Sequence, residues 1–274
     1  MTKKGRMTVY IDPQSPQQFK NLAGYTLADG SPALDVVCLF AGNYVTNEKP
    51  CLRANNNPLT TKPFDDNIQQ VLDDGSVEYL QSKGLTVLLS IRNGHQPVGW
   101  SEFTSEKVAT DFAQYLKSDV IEKYGLDGID VDDEYSEGGE ANDISLIMVT
   151  TVMRDIMPDK IITKALWEDS EYFKSEWEGN TLARNLAYGA EMSYGGSPED
   201  RLESYPHWGL NKSQLSLGFW TEQPSSNPEQ DVQWLKDNGY AGVMIYAFET
   251  QDNVDLMGQL VNYWYGPGNW NPPK

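Results

Sequence analysis

Short runs rich in Val, Ile, Leu and Tyr recur along the whole chain, and stretches with helical spacing separate most of them. Eight such runs stand out: Met7–Asp12, Leu34–Ala41, Thr86–Ile91, Gly128–Asp132, Ile161–Leu166, Leu186–Tyr194, Leu215–Phe219 and Gly242–Tyr246. Most are continuously apolar rather than alternating, as strands covered on both faces are. Asp65–Lys83 sets Ile68, Val71, Leu72 and Leu80 at helical spacing and ends at Gly84. Thr104–Lys123 repeats the scheme with Val108, Phe112, Leu116 and Val120. Asp143–Met157 stops at Pro158, Asn227–Asn238 closes on Gly239, and Met257–Tyr265 is the last. Repeated helix–turn–strand units predict sequential βα connections and a parallel sheet. Eight strands in 274 residues fit a single closed (β/α)8 TIM barrel, with short or missing helices around strands five and six. No GxGxxG or phosphate loop follows the first strand, which disfavours an open nucleotide-binding sheet. No linker-like stretch splits the chain, so one domain over residues 1–274 is expected, with 266–274 as a loose tail. Residues 47–63 read as a long loop after the second strand.

Charge narrows the partners. Forty Asp and Glu stand against 21 Lys and Arg, a net charge of −19. That field repels phosphate backbones and anionic lipid, leaving neutral or cationic partners, among which sugars fit well. No run approaches the roughly 18 apolar residues of a membrane span. Two cysteines, Cys38 and Cys51, make neither a disulfide scaffold nor a four-cysteine zinc site. With only His95 and His207 present, acid–base chemistry falls mainly on carboxylates. Met1–Arg6 is basic and lacks an apolar signal core, so the sequence as it stands carries no secretory signal.

The densest chemistry lies in Asp127-Gly128-Ile129-Asp130-Val131-Asp132-Asp133-Glu134. Side chains on a strand alternate faces, so Asp130, Asp132 and Glu134 share one face and Ile129, Val131 and Asp133 the other. In strand four of a barrel the first set faces the lumen, with Glu134 at the C-terminal mouth. Three carboxylates about 6.5–7 Å apart in a low-dielectric site repel when all are ionised, so at least one holds its proton. A general acid needs such a proton, and the outermost group, Glu134, is expected to carry it. A calcium loop does not fit, because the glycine precedes the acids. The interleaved Ile129 and Val131 argue against a solvated acidic loop.

This octapeptide fits the DGxDxDxE signature of glycoside hydrolase family 18, and the chain resembles the endo-β-N-acetylglucosaminidases of the endoglycosidase H and F type. Further islands that carry the resemblance are Tyr25-Thr26-Leu27-Ala28-Asp29-Gly30, Val87-Leu88-Leu89-Ser90, Gly94-His95-Gln96 and Met157-Pro158-Asp159-Lys160-Ile161-Ile162. The resemblance implies hydrolysis of the β-1,4 bond between the two core N-acetylglucosamines of N-linked glycans, high-mannose or hybrid. In such enzymes the substrate's own 2-acetamido oxygen attacks the anomeric carbon, and configuration is retained. Glu134 would then be the general acid and later base, Asp132 would orient the acetamido N–H, and Asp130 would share a proton with Asp132. Tyr194, in Met192-Ser193-Tyr194, would hold the acetamido carbonyl, and Tyr246 would floor the sugar site. Chitinases usually carry Trp at the Tyr246 position and Asp after the strand-six Tyr; here Gly195 follows Tyr194. The strand-three SxGG of the family becomes Ser90-Ile91-Arg92-Asn93-Gly94, which leaves the role of Asn93 open.

Trp100, Trp167 and Trp220 lie just past strand ends, where they stack on sugars or anchor packing. Met192, Asn93, Trp167 and Trp220 join Tyr246 as candidate substrate contacts. Asn55-Asn56-Asn57 and Glu137-Gly138-Gly139-Glu140 are substrate contacts or solvated turns, and His95 lacks a visible Ser or Cys partner. The mechanism calls for no metal and no organic cofactor. An N-glycan or N-acetylglucosamine-containing oligosaccharide is the expected partner, met by a monomer in a secreted, periplasmic or cell-surface setting. A chitinase acting on N-acetylglucosamine oligomers and a non-catalytic glycan-binding barrel are the alternatives.

Overall fold

The computed structural model describes residues 5–46, 50–54, 62–93, 99–134, 141–167, 169–249 and 253–273. Eight parallel strands close on themselves: β1 (Arg6–Ile11), β2 (Val36–Thr46), β3 (Thr86–Arg92), β4 (Gly128–Asp132), β5 (Ile161–Leu166), β6 (Tyr188–Glu191), β7 (Leu215–Trp220) and β8 (Gly242–Tyr246). Each pairs with the next in sequence, and β1 pairs with both β2 and β8, so the sheet has no free edge at the barrel wall. This is the (β/α)8 barrel that the alternation of strand and helix predicts.

Two apolar layers hold it. Val9, Val37, Leu89, Ile129, Val131 and Val243 point outward and pack beneath the helices in the larger cluster. Tyr10, Val36, Cys38, Leu88, Ala190 and Met244 point inward and fill the lumen. Strand alternation sorts the two sets, and Asp130 and Asp132 fall on the inner one.

The helices depart from the sequence expectation in informative ways. Asp65–Lys83 is two helices, Asp66–Asp73 and Ser76–Ser82. Gly75 between them takes φ +77°, and the Asp74 carboxylate accepts from the Ser76 N–H at 3.0 Å, so a fresh N-terminus starts there. Thr104–Lys123 begins at Glu106 and passes through a π-helical stretch, Leu116–Ile121, before ending at Tyr124. After β5 come only Ser170–Lys174 and Leu182–Asn185, and after β6 Pro198–Leu202 and Ser204–His207, all short as expected.

Two expectations are corrected. β2 runs on to Thr46, and Pro50–Leu52 returns antiparallel to it, so part of the long loop is a hairpin; 47–49 and 55–61 lie outside the described residues. The C-terminal tail is not loose. Trp270–Asn271 pairs antiparallel with Thr26–Leu27, the Asn271 side chain donates to the Leu27 carbonyl at 2.9 Å, and the Trp270 ring lies 5.7 Å from Tyr25. An indole that packs and an amide that bonds outweigh the Gly/Pro content of the segment. No helix among the described residues is long and apolar enough to cross a membrane.

Candidate active site

The acidic segment follows the alternation of its strand. Asp130 is fully buried in the lumen of β4, where Ser90 Oγ on β3 donates to it at 2.9 Å and Thr163 Oγ1 on β5 at 2.6 Å. Burial raises the pKa of Asp130, while the Thr163, Ser90 and Tyr10 hydroxyls pull it back down. Asp132 is 3% exposed, and its Oδ1 makes no hydrogen bond among the described residues. Burial, then the charges of Glu134 and Asp130, push its pKa well above the ordinary carboxylate range. Burial thus favours the protonated form of Asp132. Glu134 follows at the mouth and is half-buried.

Asp133 points the other way, out of the lumen. There it accepts from Ser101 Oγ at 3.3 Å and shares a buried pocket with Lys164. Lys164 Nζ meets Asp169 at 2.7 Å, both almost fully buried. Burial pulls the Lys164 pKa down, but Asp169 and Asp133 outweigh it and the ammonium is stabilised. The other oxygen of Asp169 accepts the Trp167 N–H at 2.8 Å.

Asp132 and Glu134 line a cavity of about 390 Å³ at the C-terminal mouth, where barrel enzymes carry their chemistry. Tyr194, Trp220 and Tyr246 form its aromatic wall: Tyr194 stacks on Tyr246 at 5.8 Å, and Trp220 lies 5.8 Å from Tyr194 and 6.1 Å from Tyr246. Burial raises the Tyr194 pKa far above its usual value, so its hydroxyl stays a donor. Met192 and the half-exposed Trp167 complete the sequence-expected lining.

Sequence reasoning missed Tyr10, Phe40, Arg92, Ala165, Ser193 and Met244, which also face the cavity. Tyr10 and Arg92 sit near the ends of β1 and β3 and Phe40 within β2, and alternation from Ser90 would have flagged Arg92. Arg92 Nε donates to Asn43 Oδ1 at 3.0 Å, and its guanidinium sits 5.3 Å from the Phe40 ring.

Asn93 is fully buried and does not line the cavity. Trp100 is a packing anchor, 1% exposed, donating Nε1–H to the Ile91 carbonyl at 2.7 Å and packing 5.5 Å from Phe112. His95, Asn55-Asn56-Asn57 and Glu137-Gly138-Gly139-Glu140 lie outside the described residues. Among the described residues no group of three or more His, Cys, Asp or Glu is arranged to hold a metal ion.

A carboxyl group at an open mouth, a second one beneath it and a phenol opposite can deliver and accept protons around a ring-sized ligand on an aromatic floor. No family model matches the chain. An endo-β-N-acetylglucosaminidase of Flavobacterium sp. (strain SK1022) is 30% identical over 275 residues, covering 97% of this chain and 82% of its own. Endo-β-N-acetylglucosaminidase F1 of Elizabethkingia meningoseptica is 29% identical over 255 residues, covering 88% and 70%. The crystal structure of Bacteroides thetaiotaomicron EndoBT-3987 with a Man5GlcNAc product superposes with a TM-score of 0.79 at 20% identity. It matches all of this chain, which spans 63% of that one, less than two thirds, and at such identity the likeness speaks for the fold. The identity to the Flavobacterium enzyme, sustained along nearly the whole chain, establishes that this chain belongs to the endo-β-N-acetylglucosaminidases, a family of glycosidases.

Proposed function

We propose that the chain hydrolyses the β-1,4 bond between the two core N-acetylglucosamines of high-mannose or hybrid N-linked glycans, by the retaining, substrate-assisted route of glycoside hydrolase family 18. The observation that carries this reading is that Glu134, Asp132 and Tyr194 face one cavity above a buried Asp130. Glu134 protonates the leaving glycosidic oxygen while the substrate's acetamido oxygen attacks the anomeric carbon, forming an oxazolinium ion. Asp132 Oδ1, which has no other partner among the described residues, accepts the acetamido N–H and stabilises the growing positive charge. Tyr194 O–H donates to the acetamido carbonyl oxygen and holds it in line for attack. Glu134, now ionised, takes a proton from water, which opens the oxazolinium ring and restores the β configuration. Asp130 shares with Asp132 the proton that burial holds on the pair, so that Asp132 is anionic while the positive charge grows. Tyr246, Trp220 and Trp167 supply the stacking surface.

Two of the relatives are named for this activity. EndoBT-3987 has been crystallised with a Man9GlcNAc2Asn substrate, which favours the N-glycan over chitin oligomers. One catalytic domain, a monomeric state and an extracellular or periplasmic location belong to the same proposal, the last resting on resemblance to secreted bacterial endoglycosidases.

Glu134→Gln should leave folding intact and abolish release of glycan from a denatured high-mannose glycoprotein. A general acid contributes roughly 10²–10⁴-fold, so a variant keeping more than about a tenth of parental turnover sinks the assignment. Mass spectrometry of parallel digests with chitin oligomers separates the chitinase reading.

A further inference from the structure

Tyr194 stands in a backbone conformation that few residues other than glycine adopt, with φ +57°. Such a turn persists only when its surroundings hold it. The hold is visible at its base. Glu191, the last residue of β6, is 2% exposed and accepts the Ser193 N–H on Oε1 at 2.7 Å. Its other oxygen, Oε2, is ion-paired with the buried Arg201 guanidinium. Arg201 lies on the helix Pro198–Leu202 that follows the turn, so the pair closes the segment Glu191–Arg201 into a loop with Tyr194 inside it. The same guanidinium donates through Nη2 to the Gly218 carbonyl on β7 at 2.9 Å. Gly218 is the residue that makes room for the Tyr194 ring: a Cβ there would come within 3.0 Å of Tyr194 Cε1 and 2.2 Å of the Glu191 carbonyl oxygen.

We propose that Glu191 and Arg201 are positioning residues, a buried clasp that fixes the Met192–Tyr194 turn and thereby sets the Tyr194 hydroxyl opposite Asp132 and Glu134. The inference rests on the proposed role of Tyr194 and adds to it the groups that act through Tyr194 without touching substrate. Neither Glu191 nor Arg201 lines the cavity. Replacing one alone strands a buried charge, whereas replacing both removes the pair and keeps the interior neutral.

The test is a mutant cycle on the full chain with a high-mannose glycopeptide. Glu191→Gln/Arg201→Gln is measured in the parent and in Tyr194→Phe, with circular dichroism and melting to establish folding. A displacement of reacting groups by about 1 Å costs up to ~10²-fold. The clasp variant should lower kcat by about 10- to 100-fold with KM changed less than about threefold, and should lower it less than about threefold in Tyr194→Phe. Arg201→Lys, which keeps the charge but not the two-armed geometry of guanidinium, should show the same pattern more weakly and covers the case where the double variant does not fold. A folded variant with unchanged kcat, or equal losses in both backgrounds, overturns the proposal. Should the parent cleave no glycan, the functional reading has failed, and the clasp is judged by the ¹³C ring resonances of Tyr194, assigned with Tyr194→Phe. They shift in the clasp variants if the proposal holds, and unmoved resonances overturn it.

Discussion

Thr163→Val tests the buried support beneath the acidic strand. The change keeps the β-branched shape that suits β5 and deletes the hydroxyl that donates to Asp130 at 2.6 Å. Thr163 is 3% exposed and Asp130 0%, so bulk water does not replace the lost donor. A hydrogen bond to an ionised partner contributes about 1.5–3 kcal/mol, against about 0.5–1.5 kcal/mol between neutral groups. At roughly 2 °C per kcal/mol for a chain of this length, Tm falls by about 3–6 °C when Asp130 is ionised. The sign of the pH dependence follows from the direction of the shift. Burial already raises the Asp130 pKa and the Thr163 hydroxyl restrains it, so the variant raises it further. An acid whose pKa is raised by folding destabilises the fold as pH climbs from the unfolded value, about 3.9, through the folded one. The Tm gap between parent and variant is therefore smallest at the acid end of the folded range and widest at neutral pH. Calorimetric melting across a pH series measures both. A gap under about 1 °C at neutral pH, or one that does not change with pH, refutes the reasoning.

Lys164→Met leaves Asp169 and Asp133 in their buried pocket without a cation and should cost about 3–5 kcal/mol in urea denaturation at pH 7. Trp167→Ala removes a half-exposed cavity wall, so KM for a high-mannose glycopeptide should rise by about 5- to 100-fold while Tm moves by less than about 2 °C. Trp100→Phe should do the reverse, lowering stability by about 1–3 kcal/mol through the stranded Ile91 carbonyl and leaving KM unchanged. Exchange of those two outcomes would show that the buried and exposed indoles have been assigned the wrong roles.

Much of the barrel is readable from the chain because a strand covered on both faces has little choice but to be apolar throughout, as Val87–Leu89 and Val243–Ile245 are. The acidic face of β4 is readable for a related reason: Asp130 and Asp132 interrupt such a run at alternate positions, which marks one inward row, and hydroxyls from the neighbouring strands make the burial of Asp130 tolerable. What escaped is what depends on contacts between distant segments. Nothing local to Trp100 distinguishes it from Trp167; the difference is that Phe112 and the Ile91 carbonyl meet one indole and the cavity meets the other. The strong burial effect on Asp132 also escaped, because depth in the lumen, not order along the strand, sets the desolvation. The break at Asp74–Gly75 was legible in principle, since Asp-Gly-Ser is a capping pattern, but the apolar spacing ran across it without a missed step.

The two-residue strand near the chain's end has a mechanical meaning. Trp270–Asn271 is stitched to Thr26–Leu27, next to the seam where the first and last barrel strands meet. Tension applied to the C-terminus would load that stitch in shear before any barrel strand felt it. Cutting the chain ahead of Trp270 would uncover the Tyr25 ring, while the helix Val254–Tyr265 keeps its own hold on the barrel through Met257, Leu260, Val261 and Trp264.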